Sequence, residues 1–168
     1  KVHENTEDNT LVTVGFTYQA ANGDDEVFQG NGNGVWRPFV SAAKVTDSLN
    51  LIGNLGANIP IDGGDESTSL DAHLHLSPSG DGAIVPLVEI HAIHYVSDGN
   101  ATPFDFEGVD YANLGASDVD NQTIVTGAVG ARWRPIASGS LGVTWETALS
   151  NREDIFQSRW TFDWLQRF

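Results

Sequence analysis

The chain has 168 residues, a length that fits one domain, residues 1–168, with 8 basic against 23 acidic side chains and a net charge of −15. That balance argues against nucleic acid and anionic membrane surfaces as partners and in favour of cations. No cysteine is present, so neither a disulfide framework nor a thiolate metal site is available.

No apolar run approaches the roughly 18 residues of a transmembrane helix, which leaves a barrel as the only route into a membrane. The polar start KVHENTEDNT is not a signal peptide, so an exported protein would stand here in mature or truncated form. From Leu11 to Gln19, Val12, Val14, Phe16 and Tyr18 alternate with Thr13, Gly15, Thr17 and Gln19, the pattern of a strand with one apolar face. Asn22–Gly34 is rich in glycine and carboxylates and reads as a long loop. A second strand, about Val35–Ala43, sets Trp36, Val40 and Ala42 opposite Arg37, Phe39 and Ser41, with Pro38 interrupting it. Thr46–Ser48 is a tight turn. In the third strand Leu49, Leu51, Leu55, Ala57 and Ile59 oppose Asn50, Asn54 and Asn58.

An acidic loop at Asp62–Ser67 precedes strand four, where Leu70, Ala72, Leu74 and Leu76 oppose Ser69, Asp71, His73, His75 and Ser77. Pro78–Gly82 turns the chain. Strand five, about Ala83–Val96, sets Ile84, Val88, Ile90 and Ala92 against Glu89 and His91, and its far end loses the pattern, as at a bulge. The irregular stretch Ser97–Asn121 is long enough to be functional or mobile. Strand six places Val125, Val129, Ala131 and Trp133 on one face and Thr126, Arg132 and Arg134 on the other; strand seven places Leu141, Val143, Trp145 and Leu149 against Gly142, Thr144, Glu146 and Ala148.

The chain ends in RWTFDWLQRF, in which Trp160, Phe162, Trp164 and Phe168 share one face with Gln166 while Arg159, Thr161, Asp163 and Arg167 share the other. This ending resembles the C-terminal strand of bacterial outer-membrane β-barrel proteins, although an aromatic is usual where Gln166 stands. The runs Gly23–Phe39 and Val109–Arg134 resemble segments of porin-like or transporter-like barrels. The resemblance implies an all-β, transmembrane, antiparallel up-and-down barrel in the bacterial outer membrane, of which eight strands are visible. It also implies outer-membrane lipid, lipopolysaccharide and the barrel-assembly machinery as partners. In such relatives further strands precede Leu11, so the resemblance leaves two expectations open, a complete eight-stranded barrel or the C-terminal portion of a larger one. Independently of it, connections after strands one, three, five and seven are long and acidic and the others short, the asymmetry of extracellular loops and periplasmic turns.

Tyr18, Trp36 and Trp160 then fall near the long-loop side, and Trp133, Trp164 and Phe168 near the short-turn side, as interfacial girdles would; Trp145 stands apart from both. Inward-facing Arg37, Arg132, Arg134 and Arg159 balance Asp71, Glu89, Glu146 and Asp163, an expected lumen ion-pair network, with Arg132 placed across from Glu146. His73, His75, Glu89 and His91 lie on one face of a hairpin, where imidazoles and a carboxylate can ligate zinc or a similar metal, although H-x-H on a strand is weak evidence and lumen hydrogen bonding is the simpler reading. No other cofactor is implied beyond Ca or Mg ions at the acidic loops. The expected function is passage of small solutes, without enzymatic chemistry. The rivals are a non-conducting barrel that is structural or binds cations and ligands through its acidic loops, a lipid-modifying barrel enzyme, and a soluble β-sandwich.

Overall fold

The computed structural model describes residues 2–22, 33–61, 66–108, 113–136 and 138–166. Its strands are β1 (His3–Asn5), β2 (Thr10–Gln19), β3 (Val35–Val45), β4 (Leu49–Pro60), β5 (Thr68–Pro78), β6 (Ile84–Ser97), β7 (Thr123–Ile136), β8 (Gly139–Ala148) and β9 (Ser158–Gln166). They form one antiparallel sheet in sequence order. The all-β, up-and-down architecture is therefore as expected.

Two expectations need correction. Among the described residues there are nine strands rather than the eight expected, because the polar His3–Asn5 pairs along the start of β2, from His3 opposite Val12 to Asn5 opposite Thr10. Periodicity could not show it, since this strand is made by a turn: Asn5 Oδ1 accepts from the amides of Glu7 and Asp8 at 3.0 and 3.2 Å, and Asn9 takes a positive φ of 48°. The second correction concerns closure. Among the described residues β9 pairs only with β8 and β1 only with β2, so the sheet is open at both edges.

Even so, its stagger is that of a barrel wall. The rung through Trp160, near the start of β9, passes through Trp145, Val129, Val88, Leu76, Leu51 and Lys44 and ends at Thr10, the first residue of β2. The start of β9 and the start of β2 lie at opposite ends of the sheet. Each step around therefore slips by about one residue, which at ~3.3 Å per residue and ~4.8 Å between strands tilts the strands by roughly 30–35°, close to the tilt that closed barrels require.

Alternation sorts the side chains into two faces. Leu55, Ile90, Val129, Phe162 and their neighbours make one apolar and exposed face. The other is polar and curls inward: Asn50 of β4 and Leu165 of β9 line one cavity of about 720 Å³, although four strands stand between theirs in the sheet. Glycines on this face let long side chains lie flat. The Phe39 ring covers Gly15, and the Asp71 carboxylate leans over Gly56.

Candidate functional site

The apolar face is continuous from β2 to β9 because the registers keep one parity throughout. Val40 opposes Leu55, Leu74 opposes Ile90, Val88 opposes Val129, and Val143 opposes Phe162. A soluble sheet would cover such a face with a second layer; here Phe162 is 76 % exposed and Phe16 66 %. The aromatics sit near its two margins. Tyr18 opposes Trp36 with ring centroids 5.0 Å apart, and Phe16 packs on the same indole at 5.5 Å. Trp133, Leu141 and Trp164 share one rung nearer the short-turn end. Trp145, which sequence alone left apart, opposes Trp160 directly and so lies toward the long-loop margin. Phe168 lies outside the described residues.

On the concave face two rungs carry the chemistry. In one, Arg132, Gly142 and Asp163 stand side by side on β7, β8 and β9. Arg132 reaches across the glycine to Asp163, Nη2 to Oδ1, at 2.8 Å, and a Cβ on Gly142 would overlap that carboxylate. The other rung runs His75, Glu89, Ala128, Glu146 and Arg159. His75 Nδ1 lies 2.8 Å from Glu89 Oε1, and His73 Nε2 lies 3.9 Å from the same oxygen. Glu146 is held by the Arg159 guanidinium and the Thr126 hydroxyl. Small Ala128 between the two glutamates leaves a cavity of about 220 Å³, lined also by His73, His91, Thr126 and Arg159.

The expected pairing of Arg132 with Glu146 is thus corrected: Glu146 opposes Ala128, four residues along β7 from Arg132 and roughly 13 Å away at ~3.3 Å per residue. The Gly139–Ile136 register of the turn sets that offset, which a guess at the turn position could not supply. Arg134 donates instead to the Gly80 carbonyl at 3.3 Å, and Arg37 and Asp71 line a separate groove. The histidines and Glu89 do meet on one face, with the His73 and His91 rings edge to face at 6.1 Å. Nevertheless, among the described residues no group of three or more His, Asp or Glu side chains is arranged to hold a metal ion.

Above these rungs the long loop folds onto the concave face. Ala116, Val119 and Phe156 pack on Tyr95 and Ile124, with Ile93 and Ala148 beside them, in a buried core. Ile93 and Ile124 lie two residues from His91 and Thr126 on the same strands and the same side. The loop carboxylates hold this plug together. Fully buried Glu107 accepts from Ser67 Oγ at 2.8 Å and from the amides of Leu114 and Ala116, both at 2.7 Å. Asp98 Oδ1 accepts from the amides of Val119 and Asp120. Asp154 pairs with Arg152 at 3.0 Å, and burial pushes its carboxyl above the usual aspartate value against the pull of that guanidinium. Asp98, Glu107 and Asp154 belong to the acidic loops for which the sequence suggested Ca or Mg ions; their partners come from other segments, so no local signal marked them. Asp24, Asp25, Glu26, Asp62, Asp65 and Asp110 lie outside the described residues.

Filling the cavity should show whether it matters. Ala128→Leu puts a branched side chain between Glu89 and Glu146, and overpacking of this kind costs ~1–3 kcal/mol. Denaturant unfolding should register that loss, whereas Gly142→Ala, which displaces only the side-chain ends of Asp163 and Arg132, should cost about 1 kcal/mol or less. Compared with known proteins, the chain has no match: no family model fits it, and neither a curated protein nor a solved structure is similar to it.

Proposed function

We propose that the chain forms the wall of a bacterial outer-membrane β-barrel that passes small solutes, in the manner of porins and transporters, and has no enzymatic chemistry. The observation that carries this reading is the unbroken exposed apolar face from β2 to β9, backed by a concave face on which carboxylates and guanidiniums pair. Lipid satisfies the first and a water-filled lumen the second. Outer-membrane lipid and lipopolysaccharide are the partners of the apolar face and of the acidic loops, with Ca or Mg ions as bridges to phosphate, and the aromatic end of the chain is the handle for barrel assembly.

The barrel is wider than eight strands on this reading. β1 occupies the start of the edge of β2 that β9 would need for closure. In an alternating antiparallel sheet the first and ninth strands run the same way, so closure by antiparallel pairs alone through β1 and β9 would take at least one further strand between them. A barrel of ~8 strands is filled by its own side chains, whereas ~16 leave an aqueous channel.

A second reading has support in the loop core on the concave face: a plugged, non-conducting barrel that binds ligands through its loops. Planar-bilayer recording of the full protein in potassium chloride separates the two. Steady, cation-preferring current is expected, weaker in preference at high salt because exposed charges are screened. A silent bilayer from protein shown to be inserted would favour the plugged barrel. A chain that stays folded and monodisperse in buffer without detergent would end the membrane reading altogether.

A further inference from the structure

We infer that Glu89 sets the charge preference of the passage, rather than the many carboxylates of the loops; the inference rests on the solute-passage reading. Three observations lead to it. Among the described residues, several loop carboxylates are committed to partners or exposed to solvent. Glu107 and Asp98 are occupied by backbone amides, Asp154 faces Arg152, and Asp118 and Asp120 are exposed to solvent. A charge in open solution is felt over only about 8 Å at physiological salt.

The second observation concerns the concave face. Asp163 is neutralised by Arg132, and Glu146 by Arg159. Asp71 leans over Gly56 in a separate groove and does not border the cavity beside Glu89. Glu89 has no such permanent cation: its carboxylate meets His75 at 2.8 Å and His73 at 3.9 Å. It therefore leaves this level of the wall with a net negative charge whenever those imidazoles are neutral.

The third is position. Glu89 borders the cavity of about 220 Å³ beneath the loop core, where the wall is lined by Thr126, Ala128 and Glu146 across from it. Its side chain is 29 % exposed, so it is neither sealed off nor dissolved in bulk water. An ion passing this level meets an unneutralised carboxylate at close range in a medium that screens less than bulk water. Potassium is drawn in and chloride is turned away.

Reversal potentials in a potassium chloride gradient across a planar bilayer test the assignment on the full-length protein. Glu89→Gln should lower the potassium-to-chloride permeability ratio several-fold, toward unity, while Glu89→Asp keeps most of it. Asp118→Asn combined with Asp120→Asn should leave the ratio nearly unchanged. Retained resistance to unfolding in detergent confirms that each variant is folded, and if Glu89→Gln fails that check, Glu89→Asp against the loop double variant decides. Current with an unaltered ratio in Glu89→Gln, or a ratio that falls only with the loop pair, overturns the role of Glu89 and leaves the passage reading standing. Absence of current in the wild-type protein overturns both.

Discussion

On the proposed outer-membrane reading, replacing Leu74 by arginine should destabilise the protein in lipid vesicles by ~2–4 kcal/mol, the cost of a cation near the middle of a strand that faces lipid. Leu74 lies near the centre of β5, 37 % exposed, between Gly53 and Ile90 of the neighbouring strands. Ile52→Arg is the control. Ile52 is as apolar and comparably exposed, at 44 %, but it shares the concave face with Asn50 and Asn54, where an added guanidinium meets water. Its cost should stay under about 1 kcal/mol, because substitutions toward a lumen tune selectivity more than stability. Equilibrium unfolding by guanidinium from vesicles measures both. Equal, small losses at the two positions would mean that the apolar face meets water, and the membrane assignment would fall.

Arg159→Gln should be the most damaging substitution on the concave face. It strips the Glu146 carboxylate, whose side chain is only 10 % exposed, of its counter-charge and leaves it the Thr126 hydroxyl alone. Breaking one half of a buried pair costs ~3–5 kcal/mol, because the remaining charge is desolvated and uncompensated. Arg132→Gln should cost far less, about 1 kcal/mol or below, since Asp163 is 39 % exposed and water takes over part of the work. A double-mutant cycle of Arg159→Gln with Glu146→Gln should show strong coupling, whereas Arg132→Gln with Glu146→Gln should be additive. Coupling in the second cycle would contradict the register of β7 on β8.

The two predictions rest on information of different kinds. Which face of each strand is apolar was legible in the sequence, because alternation has a period of two and needs no partner: the outward sets from Val12 to Tyr18 and from Leu49 to Ile59 and the inward His73, His75, Glu89 and His91 all lie where parity placed them. The up-and-down order of the strands came from the resemblance of the chain's ending to outer-membrane barrel strands, and the sheet has that order. What stayed hidden depends on register. A shift of two residues keeps every side chain on its face yet changes every neighbour, so parity could not choose Asp163 over Glu146 as the partner of Arg132.

The same reason explains the rest. Trp145 found its place only once its opposition to Trp160 was known, and β1 was invisible because its partner, the start of β2, and not its own composition makes it a strand. Glu107 looked like one more loop carboxylate until Ser67, Leu114 and Ala116 closed around it from two separate segments. The sequence by itself determined the two faces and the acidic loops, which follow from local alternation and composition. Only the tertiary structure decided which charges neutralise one another, that the long loop packs on the concave face, and that the sheet is open with β1 on its edge, because each depends on residues brought together from far apart in the chain.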